Sequence, residues 1–180
     1  MIVKARKDAP ENSQIRSQIF DYWDCFQGVL IEKGNRATPS QICIAFLTSV
    51  RELTQKLLLV KHKVFSFAGG KAAEANTMPD LNTFNYQTGE QLGLLKVFYR
   101  NEDEILLGAN TKRINLRISL FLEEVQTEPQ RSLSFTTTVV YNDFFGRIIF
   151  FLIKPLHKIL ARYLLKSMIE KIQHLGIPNN

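Results

Sequence analysis

Residues 142–174 read NDFFGRIIFFLIKPLHKILARYLLKSMIEKIQH. This is the longest helical pattern in the chain and, with Phe144, Phe145, Phe150 and Phe151, its most aromatic stretch. Asn142 and Asp143 carry the short polar side chains that cap a helix start. Beyond Pro155, the residues Leu156, Leu160, Leu164 and Met168 form one ridge at four-residue spacing. Lys154, Lys158, Arg162 and Lys166 form a second ridge that is wholly basic. Pro155 removes a backbone donor and clashes one turn back, which predicts a kink or a break near Phe151–Lys154. A helix this long and apolar needs a cover, and the expected cover is a sheet.

The strands for that sheet lie just upstream. In Ser132–Tyr141, the residues Leu133, Phe135, Thr137, Val139 and Tyr141 alternate with Ser132, Ser134, Thr136 and Thr138. Further back, Ile114, Leu116, Ile118, Leu120 and Leu122 share one face, opposite Arg113, Asn115, Arg117, Ser119, Phe121 and Glu123. This is half-buried antiparallel patterning, with the Ile/Leu face inward and the arginines outward. Leu94–Arg100 and Glu104–Ala109 flank Asn101-Glu102-Asp103 as a hairpin. Lys71–Gln91 reads as a long loop, of the kind that serves as a lid or stays mobile. Phe20–Ile31 reads as the first strand, and residues 1–19 as an arm with a helical turn near Asn12–Ile19. Thr38-Pro39-Ser40-Gln41 is a helix start, with Thr and Gln placed for reciprocal capping and Pro at the first helical position. Ser49-Val50-Arg51-Glu52 repeats the box, which predicts two short helices, Pro39–Thr48 and Val50–Val64, ended by Gly69-Gly70. Helices segregated from an antiparallel meander mean an α+β domain over residues 20–175, its curved sheet wrapped around the last helix.

At 180 residues the chain has room for one full core. It is 45% hydrophobic and 22% charged, with thirteen Phe and one Trp. The net charge of +6 permits an anionic partner without demanding one. Cys25 and Cys43 form no disulfide framework and each sits in an apolar pattern, so the expected compartment is reducing and cytoplasmic. The N-terminus has no apolar secretory region, and Lys154, His157, Lys158 and Arg162 interrupt the strongest apolar run before it could span a bilayer.

The order of elements resembles the helix-grip fold of the START-like, or SRPBCC, superfamily. More narrowly, the chain resembles a bacterial family of uncharacterised function in or near it. The resemblance is carried by FDYWDCF, by Thr38-Pro39, by Arg51 and Leu53, and by GANTKRINLRISL. It is carried above all by Asn142, Gly146, Arg147, Ile153, Pro155 and His157, which form N-x-x-x-G-R and then I-x-P-x-H. It implies a space between the last helix and the sheet in which an apolar ligand is held.

Candidate chemistry is sparse. His157, just past the proline, suits a ligand oxygen or a proton shuttle, or else caps a carbonyl that Pro155 frees. Arg147 suits bidentate recognition of an anion. Its bland reading is an ion pair with Asp21, Asp24 or Asp143, with Gly146 admitting a strand close to the helix. Asp21 and Asp24, three apart in a strand, face opposite sides and make a poor acid–base pair. No residues have zinc spacing, no Gly-rich phosphate loop is present and no nucleophile elbow occurs. Neither metal nor cofactor is expected, and no nucleic acid, since the basic ridge lacks interleaved aromatics. The expected function is binding of a small apolar or amphipathic molecule, with Tyr22, Asp24, Arg147 and His157 as its polar contacts. The rivals are a cyclase- or dehydratase-like enzyme in the same space, and a filled domain that meets a membrane surface through Lys154, Lys158, Arg162 and Lys166.

Overall fold

The computed structural model describes residues 2–32, 36–59, 86–92, 94–125 and 130–175. Seven antiparallel strands form one open sheet in the order β1-β2-β7-β6-β5-β4-β3. The strands are β1 (Val3–Ala5), β2 (Tyr22–Ile31), β3 (Gln91–Leu92), β4 (Leu95–Arg100), β5 (Glu104–Asn110), β6 (Ile114–Glu124) and β7 (Gln130–Tyr141). Two helices, α1 (Pro39–Leu59) and α2 (Phe144–Leu175), lie on one face of it. α2 packs over β2 and β7, and α1 lies beside it towards β5 and β6. This is the α+β architecture that the alternating and helical periods predict.

Strand parity decides what faces the helices. Register pairs Leu120 with Phe135 and Phe135 with Phe26, so the Ile/Leu face of β6 continues across β7 and β2 as a single inner surface. Phe26, Leu120, Leu133 and Phe135 are buried there against Phe46 of α1 and Leu165, Met168 and Ile169 of α2. Arg117 points to the opposite face, as expected, with its guanidinium 3.6 Å from the Phe98 ring centre. Gly28 of β2 lets α2 approach closely: a Cβ there would stand 2.6 Å from Ile169 Cδ1.

The N-terminal arm crosses the other face. Its helical turn, Gln14–Ser17, buries Ile15. The arm is fixed by Glu104, which is fully buried and accepts hydrogen bonds from Ser13 Oγ (2.5 Å), Gln14 N (2.8 Å) and Ser119 Oγ. Arg6 adds an ion pair to Glu123 at 2.5 Å.

The first capping box forms as the sequence predicts. Thr38 N donates to Gln41 Oε1 (2.9 Å), and Gln41 N donates to Thr38 Oγ1 (3.3 Å). The second does not. Instead of two short helices, a single helix runs unbroken through Ser49, which is buried and bonds Ser167 of α2 at 2.9 Å. Residues 60–64 of the expected second helix, Gly69-Gly70 and most of the 71–91 loop lie outside the described residues. α2 also runs without a break through Pro155. Its cover is partial. The sheet takes the inner side, while Phe144, Phe145, Phe151 and Leu152 on the N-terminal half remain exposed.

Candidate functional site

The first turns of α2 and the start of β2 meet over β7. β2 presents alternate residues to the helix, so Tyr22 and Asp24 point the same way as Phe26. Phe150 and His157, seven residues apart, project from the sheet-facing side of α2 and meet them. The Tyr22 ring lies 4.7 Å from Phe150 and 6.3 Å from His157, centre to centre. Tyr141, at the end of β7, closes the cluster at 5.8 Å from Phe150.

Within these rings sits a small polar group. Tyr22 Oη donates to Asp24 Oδ2 at 2.5 Å. His157 Nε2 lies 3.4 Å from the same oxygen, within ion-pair range but without the alignment of a hydrogen bond. The Asp24 side chain is only 9% exposed, and its Oδ1 has no hydrogen-bond partner. Burial, reinforced by the bond to Asp24, raises the Tyr22 phenol far above the ordinary tyrosine range. Tyr22 is therefore a hydrogen-bond donor at neutral pH. Neither cysteine belongs to the chemistry: burial pushes the Cys43 thiol up to about 12 and raises Cys25 as well, so both stay protonated and inert.

Beside this group an open recess of about 310 Å³ is lined by Asp21, Tyr22, Tyr141, Arg147, Phe151 and Lys154. Tyr22 is the shared wall. Lys154 Nζ lies 4.8 Å from the Tyr22 ring centre, a cation–π distance. Arg147 is exposed and makes no ion pair among the described residues. The pairing expected for it falls elsewhere: Asp143 meets Arg113 at 3.5 Å, and Asp21 accepts from Tyr141 N at 2.7 Å. The other half of that reading holds, since Gly146 lies against the start of β6, where a Cβ would meet Arg113 O at 2.1 Å. Asp143 Oδ1 caps the helix by accepting from Gly146 N at 2.6 Å.

Tyr22, Asp24 and His157 thus come together, and Arg147 stands on the neighbouring wall rather than in contact with them. Asp21 and Asp24 do not pair. Sequence reasoning missed Tyr141, whose parity with Val139 points it at α2, and it assigned Lys154 to a surface ridge. The four-residue step from Phe150 to Lys154 was the available signal. Among the described residues no group of three or more His, Cys, Asp or Glu could hold a metal ion. Among the described residues no helix is long and apolar enough to cross a membrane.

A family model described as a protein of unknown function, DUF2867, matches residues 17–164, which include Tyr22, Asp24, Arg147 and His157. No curated protein and no solved structure matches the chain. The chain belongs to the DUF2867 family.

Proposed function

We propose that this protein is a START-like binding domain that holds a small amphipathic anion in the recess between the start of α2 and β2. The order of strand, helix, antiparallel strands and long final helix supports that superfamily placement. Side chains such as Phe26, Phe46 and Phe135 fill the space between helices and sheet, so the ligand sits at the rim rather than deep inside. The observation that carries the reading is the convergence of Arg147 and Lys154 on the open side of Tyr22. The guanidinium and ammonium take the anionic end, and Phe151 and the Tyr22 ring take the apolar end. The buried Tyr22–Asp24–His157 group fixes the wall. A cytoplasmic setting accords with Cys25 and Cys43, both free and buried.

Titration calorimetry with a twelve-carbon alkyl phosphate below its micelle concentration, against the matching alcohol, tests this. The phosphate binds and the alcohol binds at least tenfold more weakly. Arg147→Ala weakens the phosphate by about tenfold, in line with a lost charge-assisted contact. Equal affinity for both probes, or an unaffected Arg147→Ala, would refute it.

A second reading rests on the contact of Asp24 with His157. A carboxylate and an imidazole at 3.4 Å beside a protonated phenol could move a proton in a cyclase- or dehydratase-like reaction. It requires turnover that His157→Gln abolishes while amphiphile affinity stays the same.

A further inference from the structure

α2 has a second apolar face that is exposed and turned away from the sheet. Phe145, Ile148, Leu152, Leu156 and Ile159 follow one another at steps of three or four residues, which places them on one line along the helix. The inward residues are others, among them Phe150, Ala161, Leu165, Met168 and Ile169. The line faces outward: Phe145 is 61% exposed, Leu152 62% and Ile159 64%. Scattered exposed apolar residues are ordinary, but a contiguous stripe marks a surface that meets something.

The charges beside the stripe say what. Lys158, Arg162 and Lys166 run along one flank of it, while Arg147 and Lys154 sit further round, on the recess beside Tyr22. From Phe144 to Ile169 the helix holds no Asp or Glu; Glu170 is the first. A second copy laid stripe to stripe would bring these cations together without a carboxylate from this segment to meet them. An anionic bilayer supplies both complements at once, an apolar layer below and negative headgroups beside it. Residues 144–163 extend over about 30 Å at 1.5 Å per residue, enough for a helix lying in the interface.

We propose that the outward face of α2 over Phe144–Tyr163 is a docking surface that lies flat on an anionic lipid bilayer. This goes beyond the amphiphile reading and does not rest on it. The basic flank gives attraction and orientation, and the stripe enters the boundary between headgroups and acyl chains. The helix does not cross.

Sedimentation with vesicles of phosphatidylcholine alone, or with about 30% phosphatidylglycerol, tests it. The protein pellets with the anionic vesicles, and raising the salt from 0.05 to 0.5 M lowers the partition at least tenfold, by screening. The Leu152→Glu/Ile159→Glu double variant stops pelleting at either salt. Lys158→Ala weakens the partition about fivefold, the effect of one cation near a charged surface. Both sets of positions are exposed, so thermal melts of the variants should match the wild type. No pelleting of well-folded wild type with anionic vesicles, or pelleting that the double variant retains, overturns the proposal. So does a lipid-free dimer in sedimentation velocity that Leu152→Glu dissociates, since the stripe would then belong to a second copy.

Discussion

Gly146→Ala should destabilise the protein, against the usual sign for a glycine inside a helix. By propensity alone, Ala in place of a helical Gly stabilises by up to about 1 kcal/mol. Here the added Cβ would stand 2.1 Å from Arg113 O, 3.0 Å from Arg113 C and 3.2 Å from Ile114 Cγ2. A comfortable approach is about 3.5 Å or more, so α2 or the β5–β6 turn must move by roughly an ångström. Neither is free to do so. Arg113 O accepts from Asn142 N at 2.9 Å, which ties the turn to the helix start, and Asp143 caps Gly146 N. Overpacking of this kind costs about 1–3 kcal/mol. The clash is with backbone, so the cost falls in the upper part of that range, about 2–3 kcal/mol. Less a propensity gain of about 1 kcal/mol, the expected net loss is about 1–2 kcal/mol, or a melting temperature lower by roughly 2–8 °C for a chain of this size. Urea unfolding followed by circular dichroism gives the free energy directly. Gly28→Ala is the control. Its Cβ would crowd Ile169 Cδ1, at 2.6 Å, the far end of a flexible side chain, and would meet Val3 Cγ2 and Leu165 Cδ2 at ordinary contact distances of 3.9 and 4.0 Å, while the strand gains from losing a glycine. That variant should stay within about 1 kcal/mol of wild type. A Gly146→Ala protein that melts at or above the wild type would refute the packing argument.

Other perturbations test other parts of the structure. Glu32→Ala should cost about 3–5 kcal/mol in urea unfolding, because it leaves Arg131 buried without the carboxylate it grips through Nε (3.0 Å) and Nη2 (2.6 Å). Glu104→Ala strips the arm of its anchor at Ser13, Gln14 and Ser119. It should lower stability by about 2–4 kcal/mol and speed proteolysis of residues 2–21, which a protease time course read by mass spectrometry would show. Burial raises the phenols of Tyr22 and Tyr141 and lifts that of Tyr86 to about 12. The unfolded chain therefore ionises first, near pH 10. Their contribution is intact below that pH and is lost as pH climbs through the folded values, so the unfolding free energy should fall from about pH 10 upward and fall less steeply in Tyr22→Phe.

Much of the fold was legible because its signals are local. The Ile114–Leu122 alternation and the Thr38–Gln41 box need only their own neighbours, and both appear as read. The failures share a cause. Ser49-x-x-Glu52 has the composition of a helix start, but Ser49 finds its partner in Ser167, over a hundred residues away, and the helix runs on. The three residues of β1 carry no pattern of their own; they are a strand because Phe26–Gly28 pairs with them. The site divides in the same way. Strand parity put Tyr22 and Asp24 on one face, and helical position singled out His157. The sequence did not contain the offset between β2 and α2 that brings the imidazole to the carboxylate and leaves Arg147 a wall away. The Phe content does not by itself say which rings are inside. Phe26, Phe46, Phe135 and Phe150 are buried, whereas Phe144, Phe145 and Phe151 turn outward.

Pro155 shows how those two faces of α2 are reconciled. A proline inside a helix leaves the carbonyl one turn before it without its donor, here that of Phe151. Had the pair faced the sheet, that oxygen would be buried among apolar side chains and the helix would have reason to break. Pro155 and Phe151 are instead both exposed, where a polar environment can satisfy the carbonyl. The helix therefore continues through Pro155. The same feature limits how the outer face is used. A backbone carbonyl without a partner is expensive in hydrocarbon but not among headgroups. A helix with Pro155 next to its outer stripe and Lys158, Arg162 and Lys166 along the flank suits the polar boundary of a bilayer and is ill suited to its interior.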